Sequence, residues 1–176
     1  MYYRIPEGHV PVKSETLSQD AVERALRESR IEYLVFLPES PYELLLDHLI
    51  DDRTIRLVPV ARESMGISIC AGLTYGGKRA AWLASYKGFY NCIDSYLGVA
   101  RQLRSSFLML ISESARAQDP NFKAQHPEGG FFSEELLQAL RIPHYEVYSD
   151  AEASKICQAV SDTETASEPV AVVLRW

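Results

Sequence analysis

The chain has 176 residues, of which 47% are hydrophobic and 24% charged, and a net charge of -6; that is the make-up of one globular domain with room for a real core. The acidic balance argues against a nucleic-acid backbone as main partner, which calls for a basic stripe, and no apolar run approaches the ~18 residues of a membrane span. The N-terminal MYYRIPEGHVPVKSE lacks the basic-then-apolar order of a secretory signal, and Cys70, Cys92 and Cys157 stand far apart among apolar neighbours, so buried free thiols and a cytoplasmic location are expected.

Residues 1–16 show no usable period and contain Pro6, Gly8 and Pro11, which predicts an extended arm ahead of one domain over 17–176. From Ser18 the pattern becomes regular. AVERALRESR sets Ala21, Val22, Ala25 and Leu26 on one helical face, and EYLVFLP is a short apolar strand stopped by Pro38. Ser40-Pro41-Tyr42-Glu43 combines a capping serine, a proline at the first helical position and a glutamate three residues after the cap, starting a helix to Ile50. Strand Ile55–Val60 leads through Arg62 to a helix from Glu63 to Tyr75, ended by Gly76-Gly77. Strand Arg79–Ser85 leads through a Tyr86-Lys87-Gly88 loop to a helix over Phe89–Leu103. Strand Phe107–Ser112 opens into the irregular stretch Glu113–Phe132. Ser133 starts a helix to Leu140, HYEVY is a strand, and Ser149-Asp150-Ala151-Glu152 is a capping box for a helix to about Val160. SDTETASEP reads as a polar loop and VAVVLRW as the closing strand.

Six short, near-continuous apolar strands alternating with helices predict a three-layer α/β/α sandwich on a six-stranded, mostly parallel sheet. The carboxyl edge of such a sheet is where ligands bind. It collects Pro38-Glu39-Ser40, Arg62-Glu63, Tyr86-Lys87-Gly88 and Ser112-Glu113, with the loop carrying His126 above them. A structureless loop of about 20 residues is uncommon in a compact domain and is usually functional or disordered. Each feature also has a plainer explanation. An acid in the first helical turn is favoured by the macrodipole, Gly66 and Gly72 allow close helix–sheet packing, and Lys87-Gly88 reads as a turn. His126 reads as a surface histidine, and Tyr86, Tyr90 and Tyr96 as half-buried amphipathic packing.

The chain has no G-x-G-x-x-G after its first strand, no GxxxxGK[ST] and no G-x-S-x-G. Its four histidines and three cysteines have no metal-ligand spacing. Any chemistry of its own therefore rests on one carboxylate working on something a cofactor carries.

VPVARESMGISICAGLTYGGKRAAWLASYKGFYN resembles the pyrimidine-binding domain of thiamine diphosphate enzymes, and within them the separate α subunits of sulfopyruvate and phosphonopyruvate decarboxylases. VFLPES, LMLISESAR, QHPEGGFFSEELLQALRIPHYEV and SEPVAVVLRW continue the resemblance in order, over roughly residues 18–176. It implies that Glu63, following Arg62, hydrogen-bonds N1′ of the cofactor's aminopyrimidine ring, with Pro38, Gly88 and Asn91 also at the cofactor. The Gly-Asp-Gly and Asn motif that holds Mg²⁺ and the diphosphate is absent from this chain. The resemblance therefore implies half an active site, completed by a separate β subunit in an α2β2 or larger hetero-oligomer.

Relatives usually carry Asn-Ser-Gly-Leu-Gly-Asn after the third strand, where this chain reads Ala-Ser-Tyr-Lys-Gly-Phe-Tyr-Asn. The added aromatic bulk points to a longer or aromatic 2-oxo acid, with Tyr86 and Lys87 on the substrate and His126 as a candidate for proton transfer or carboxylate binding. The implied activity is 2-oxo acid decarboxylation. Carboligase or synthase chemistry on the same cofactor and a non-catalytic regulatory homologue are the alternatives; an acid at Glu63 weighs against the last.

Overall fold

A computed structural model describes residues 16–39, 42–113 and 133–176. The expected arm, the Ser40-Pro41 cap and most of the long segment after the fourth strand, His126 included, lie outside those residues. The chain runs α1 (Gln19–Glu28), β1 (Tyr33–Phe36), α2 (Glu43–Ile50), β2 (Arg56–Pro59), α3 (Glu63–Tyr75), β3 (Ala80–Ser85), α4 (Tyr86–Asn91) and α5 (Ile93–Ser95), the last passing into a π-turn (Tyr96–Ala100). Then come β4 (Leu108–Glu113), α6 (Ser133–Ala139), β5 (His144–Val147), a 3-10 turn (Asp150–Glu152), α7 (Ser154–Ala166) and β6 (Val170–Arg175). Among the described residues no helix is long and apolar enough to cross a membrane.

The six strands form one sheet in the order β2-β1-β3-β4-β6-β5, and every pair is parallel. Successive side chains leave a strand on opposite faces, and this sequence fills both. Ala81 and Leu83 of β3 join the core shared with α1, α2 and α7, while Ala80, Trp82 and Ala84 join the core under α3, α4, the π-turn and α6. Helices on both faces are what right-handed crossovers require of this strand order. β3, β4 and β6 are buried throughout, hence their unbroken apolar sequences. β2 is an edge strand with exposed ends, a place that tolerates Pro59, which has no N–H to donate.

The connection after β1 leads outward to β2, whereas the one after β3 leads the opposite way to β4. The carboxyl ends of β1 and β3 therefore bound a crevice at a topological switch point.

Several local expectations need correction. Tyr86-Lys87-Gly88 is the first turn of α4, not a loop, because Ser85 caps it: its Oγ accepts the Gly88 N–H at 3.4 Å. The helix foreseen over 89–103 breaks at Cys92 and ends in the π-turn, which carries Tyr96 fully into the core. The capping box before α7 does not form. Asp150 instead accepts from Ser18 N–H and Oγ–H at 2.6 and 2.8 Å, and Glu152 accepts the Tyr148 N–H at 2.8 Å. α7 also runs on to Ala166 through the supposed polar loop, since Thr163 is buried and donates to Val160 O at 2.8 Å. Of the two packing glycines only Gly66 meets the sheet; Gly72 is exposed, with open space where a Cβ would stand. The cysteines are free as expected, but only Cys70 and Cys92 are buried; Cys157, on α7 facing α1, is half-buried.

Candidate active site

Glu63 is the first residue of α3, half-buried at the carboxyl edge of the sheet. Two contacts define its place. Its backbone carbonyl accepts the indole N–H of Trp82 at 3.1 Å. Trp82 reaches it from the centre of β3 because Gly66 carries no side chain: a Cβ there would lie 2.6 Å from Trp82 Cδ1 and 2.8 Å from Nε1. The Glu63 side chain runs against Gly88 of α4, where a Cβ would lie 2.8 Å from Glu63 Cγ and 3.2 Å from its Oε1. α3 connects β2 to β3 and packs on β1 and β3, which carries a residue that follows β2 back to the switch point.

Two buried groups near this carboxylate are held toward their protonated forms. Tyr42, fully buried at the start of α2, donates its hydroxyl to Leu37 O at 2.5 Å. Burial pushes its phenol well up, and the charges of Glu39 and Glu63 push the same way. Cys92 donates its thiol to Gly88 O at 3.0 Å; burial and then the charge of Glu63 push that thiol upward too. Neither offers a competing anion.

His126 lies outside the described residues; the other expected site residues follow β1 and β3 on the same edge. Pro38 is exposed just past β1, Asn91 is exposed at the end of α4, and Tyr86 is half-buried at its start. Tyr86 and Tyr90 meet edge to face, with centroids 6.1 Å apart and an interplanar angle of 63°. Exposed Lys87 holds its Nζ 5.8 Å from the Tyr86 ring centre. Sequence reading did not single out Tyr42 as part of this neighbourhood; its only local signal is an aromatic residue at a helix start.

A second charged group was not foreseen. At the carboxyl ends of β4, β6 and β5, the Arg175 guanidinium pairs with Glu113 and, at 2.8 Å, with Glu146; the side chains of Arg175 and Glu113 are 1% exposed. Ser133 donates to Glu113 at 3.1 Å, Tyr148 donates to Glu146, and Trp176 Nε1 donates to Ser112 Oγ at 2.7 Å. Burial lowers Arg175 to about 10, which leaves it charged at neutral pH. This network ties three strands to the start of α6, and among the described residues it leaves the buried Arg175 Nε without a partner. The signal for it was an arginine inside an otherwise apolar closing strand.

No family model matches the chain. It is 28% identical over 158 residues to a protein named sulfopyruvate decarboxylase subunit alpha from Methanococcus maripaludis, covering 89% of this chain and 93% of that protein. It is 30% identical over 154 residues to the protein of the same name from Methanocaldococcus jannaschii, covering 87% and 90%. The fold matches the benzoylformate decarboxylase of Polynucleobacter necessarius with a TM-score of 0.65 at 17% identity, covering 92% of this chain and 30% of that one. It also matches a 2-oxoglutarate:ferredoxin oxidoreductase from Magnetococcus marinus with a TM-score of 0.59 at 18% identity, covering 88% and 28%. At such identities the likeness is one of fold, and the chain corresponds to under a third of either structure.

Proposed function

The chain belongs to the family of sulfopyruvate decarboxylase α subunits, and we propose on that premise that it is the pyrimidine-binding subunit of a thiamine diphosphate-dependent 2-oxo acid decarboxylase, with Glu63 acting on the cofactor's aminopyrimidine ring. The observation that carries this reading is the Glu63 carboxylate, half-buried at the β1–β3 switch point and unpaired by any cation among the described residues. A carboxyl in that position fits a ring nitrogen that must be given a proton and relieved of it again. Thiamine diphosphate, when bound, supplies the electron sink for cleaving the bond between the carboxylate and the carbonyl carbon of a 2-oxo acid. Glu63 holds and moves the proton at one of its carboxyl oxygens. The backbone around Pro38 and Gly88, with Asn91 one turn further, would help to hold the ring. Tyr86 and Tyr90 form a wall suited to a longer or aromatic substrate, and Lys87 beside them suits an anionic substituent.

Mg²⁺ and the diphosphate fall to a separate β subunit, since the chain has no Gly-Asp-Gly motif. Two observations support such a partner. Both curated relatives are named as α subunits. The outer stripe of α3, with Met65, Ser68, Gly72 and Tyr75 exposed, carries no charge, whereas a solvent-facing helical stripe normally does. The test is Glu63→Gln in the complex co-expressed with its β subunit, assayed for CO₂ release from a panel of 2-oxo acids. The amide still hydrogen-bonds but cannot exchange the proton, so turnover should fall about a hundredfold or more. Wild-type turnover in that variant would remove Glu63 from the role.

A further inference from the structure

We propose that Gly88 is a positioning residue whose missing side chain sets the direction of the Glu63 carboxylate; this rests on the reading of Glu63 given above. Gly88 sits in the first turn of α4 with no positive φ, so its backbone does not require glycine. In a helical turn glycine is the least favourable residue apart from proline. What it supplies is space, and Glu63 fills that space. A Cβ on residue 88 would stand 2.8 Å from Glu63 Cγ, 3.2 Å from its Oε1 and 2.9 Å from Ala84 Cβ.

Residue 88 cannot retreat far from such a clash, because it is tied at both ends. Its N–H donates to Ser85 Oγ at 3.4 Å and its carbonyl accepts the Cys92 thiol at 3.0 Å. The Glu63 backbone is held as well, by the Trp82 indole on its carbonyl at 3.1 Å. The contact with Ala84 Cβ needs a small backbone adjustment, whereas the contact with Glu63 is relieved by the flexible part nearest it, the Glu63 side chain beyond Cβ. A methyl at residue 88 therefore turns the carboxylate away from its present direction. Trp82 fixes where Glu63 stands, and Gly88 fixes where it points.

The experiment is a double-mutant cycle on the full complex of this chain with its β subunit, using Gly88→Ala, Glu63→Gln and the pair, together with crystal structures of the complexes. Gly88→Ala should lower kcat about a hundredfold, the scale of a misplacement near 1 Å, while KM for the 2-oxo acid changes less than about threefold. In the Glu63→Gln background the same change should cost at least about tenfold less in kcat than it does in the parent, since the group through which most of its effect acts is already disabled. The Gly88→Ala crystal structure should show the Glu63 carboxylate turned away. Equal losses in both backgrounds, or an unmoved carboxylate, overturn the proposal. If Gly88→Ala does not fold, Ala84→Gly with Gly88→Ala removes the second clash and keeps the first; restored kcat in that pair would mean that packing on Ala84 was the cause and overturns it too. Full activity in Glu63→Gln alone sinks the reading of Glu63, and the crystal structure still decides whether Gly88 directs its side chain.

Discussion

The same substitution at two glycines of one helix should act in opposite directions. In Gly66→Ala the new Cβ arrives 2.6 Å from Trp82 Cδ1 and 2.8 Å from Nε1, with Val35 Cγ1 behind it at 3.4 Å. The indole cannot yield freely, since it is fully buried and its N–H is committed to Glu63 O. Overpacking of this kind costs about 1–3 kcal/mol, and a displaced indole adds about 1 kcal/mol for its hydrogen bond. Against this stands a gain of about 1 kcal/mol from alanine's better helix propensity. The net is a loss of about 1–3 kcal/mol, and at about 2–4 °C per kcal/mol for a chain of this size the melting temperature should drop by ~2–12 °C. Gly72 meets nothing within 4 Å, so Gly72→Ala keeps only the propensity gain and should raise the melting temperature by about 2–4 °C. Thermal unfolding of the two variants beside the parent chain reads both shifts. A rise in Gly66→Ala would refute the close approach of α3 to Trp82, and a fall in Gly72→Ala would refute the open space at residue 72.

Three further outcomes are expected. Arg175→Ala leaves Glu113 buried and unpaired, which costs about 3–5 kcal/mol; thermal melts should show a loss of ~10 °C, largely recovered when Arg175→Met is combined with Glu113→Gln. Burial holds the Glu146 carboxyl above its ordinary value of 4.5. The folded chain thus binds that proton more tightly than the unfolded one, and the contribution, complete below that ordinary value, fades as pH rises through the raised one; in melts from pH 4 to 8, Glu146→Gln should therefore lose less stability with rising pH than the parent. Gly72→Arg places a charge on the uncharged outer stripe of α3 and should abolish co-purification with the β subunit while the isolated chain keeps its circular dichroism; undiminished assembly would free that face from the interface.

What could be read in the sequence was what local chemistry dictates. α3 runs from Glu63 to Tyr75 and stops at Gly76-Gly77, with Gly77 at φ 75°, because a turn's need for positive φ is written in its own residues. The sheet was legible because strands covered on both faces must be apolar throughout; it is wholly rather than mostly parallel. α4 was missed because its cap, Ser85, is also the last residue of β3, and because a glycine three residues on looks like a breaker when its space is needed by another element. The length of α7 was missed because SDTETA is polar by composition, although Ile156, Ala159, Val160 and Thr163 continue one buried face at helical spacing. The Arg175 network joins positions 62 and 29 residues apart. No local pattern announces such partners, since strand order alone brings them side by side.

Two acidic sites on this sheet edge differ in what they leave open. Glu113 and Glu146 are answered within the fold by Arg175, Ser133 and Tyr148, and a carboxylate so answered has little left to offer a ligand. Among the described residues Glu63 has no side-chain partner, and its main-chain carbonyl is held by the Trp82 hydrogen bond. The helix macrodipole can stabilise an acid at that position, by about 0.3–1 kcal/mol at an exposed site, and this accounts for a negative charge at the start of α3. It does not account for a side chain laid against a glycine on a different helix, at the point where the sheet reverses direction. A purely structural acid needs no such seat, whereas one that must present an oxygen to a ring nitrogen in a fixed direction does. On the proposed reading, the Glu63 carboxylate, without a cation among the described residues and seated against Gly88 at the switch point, is the one placed to act on the cofactor.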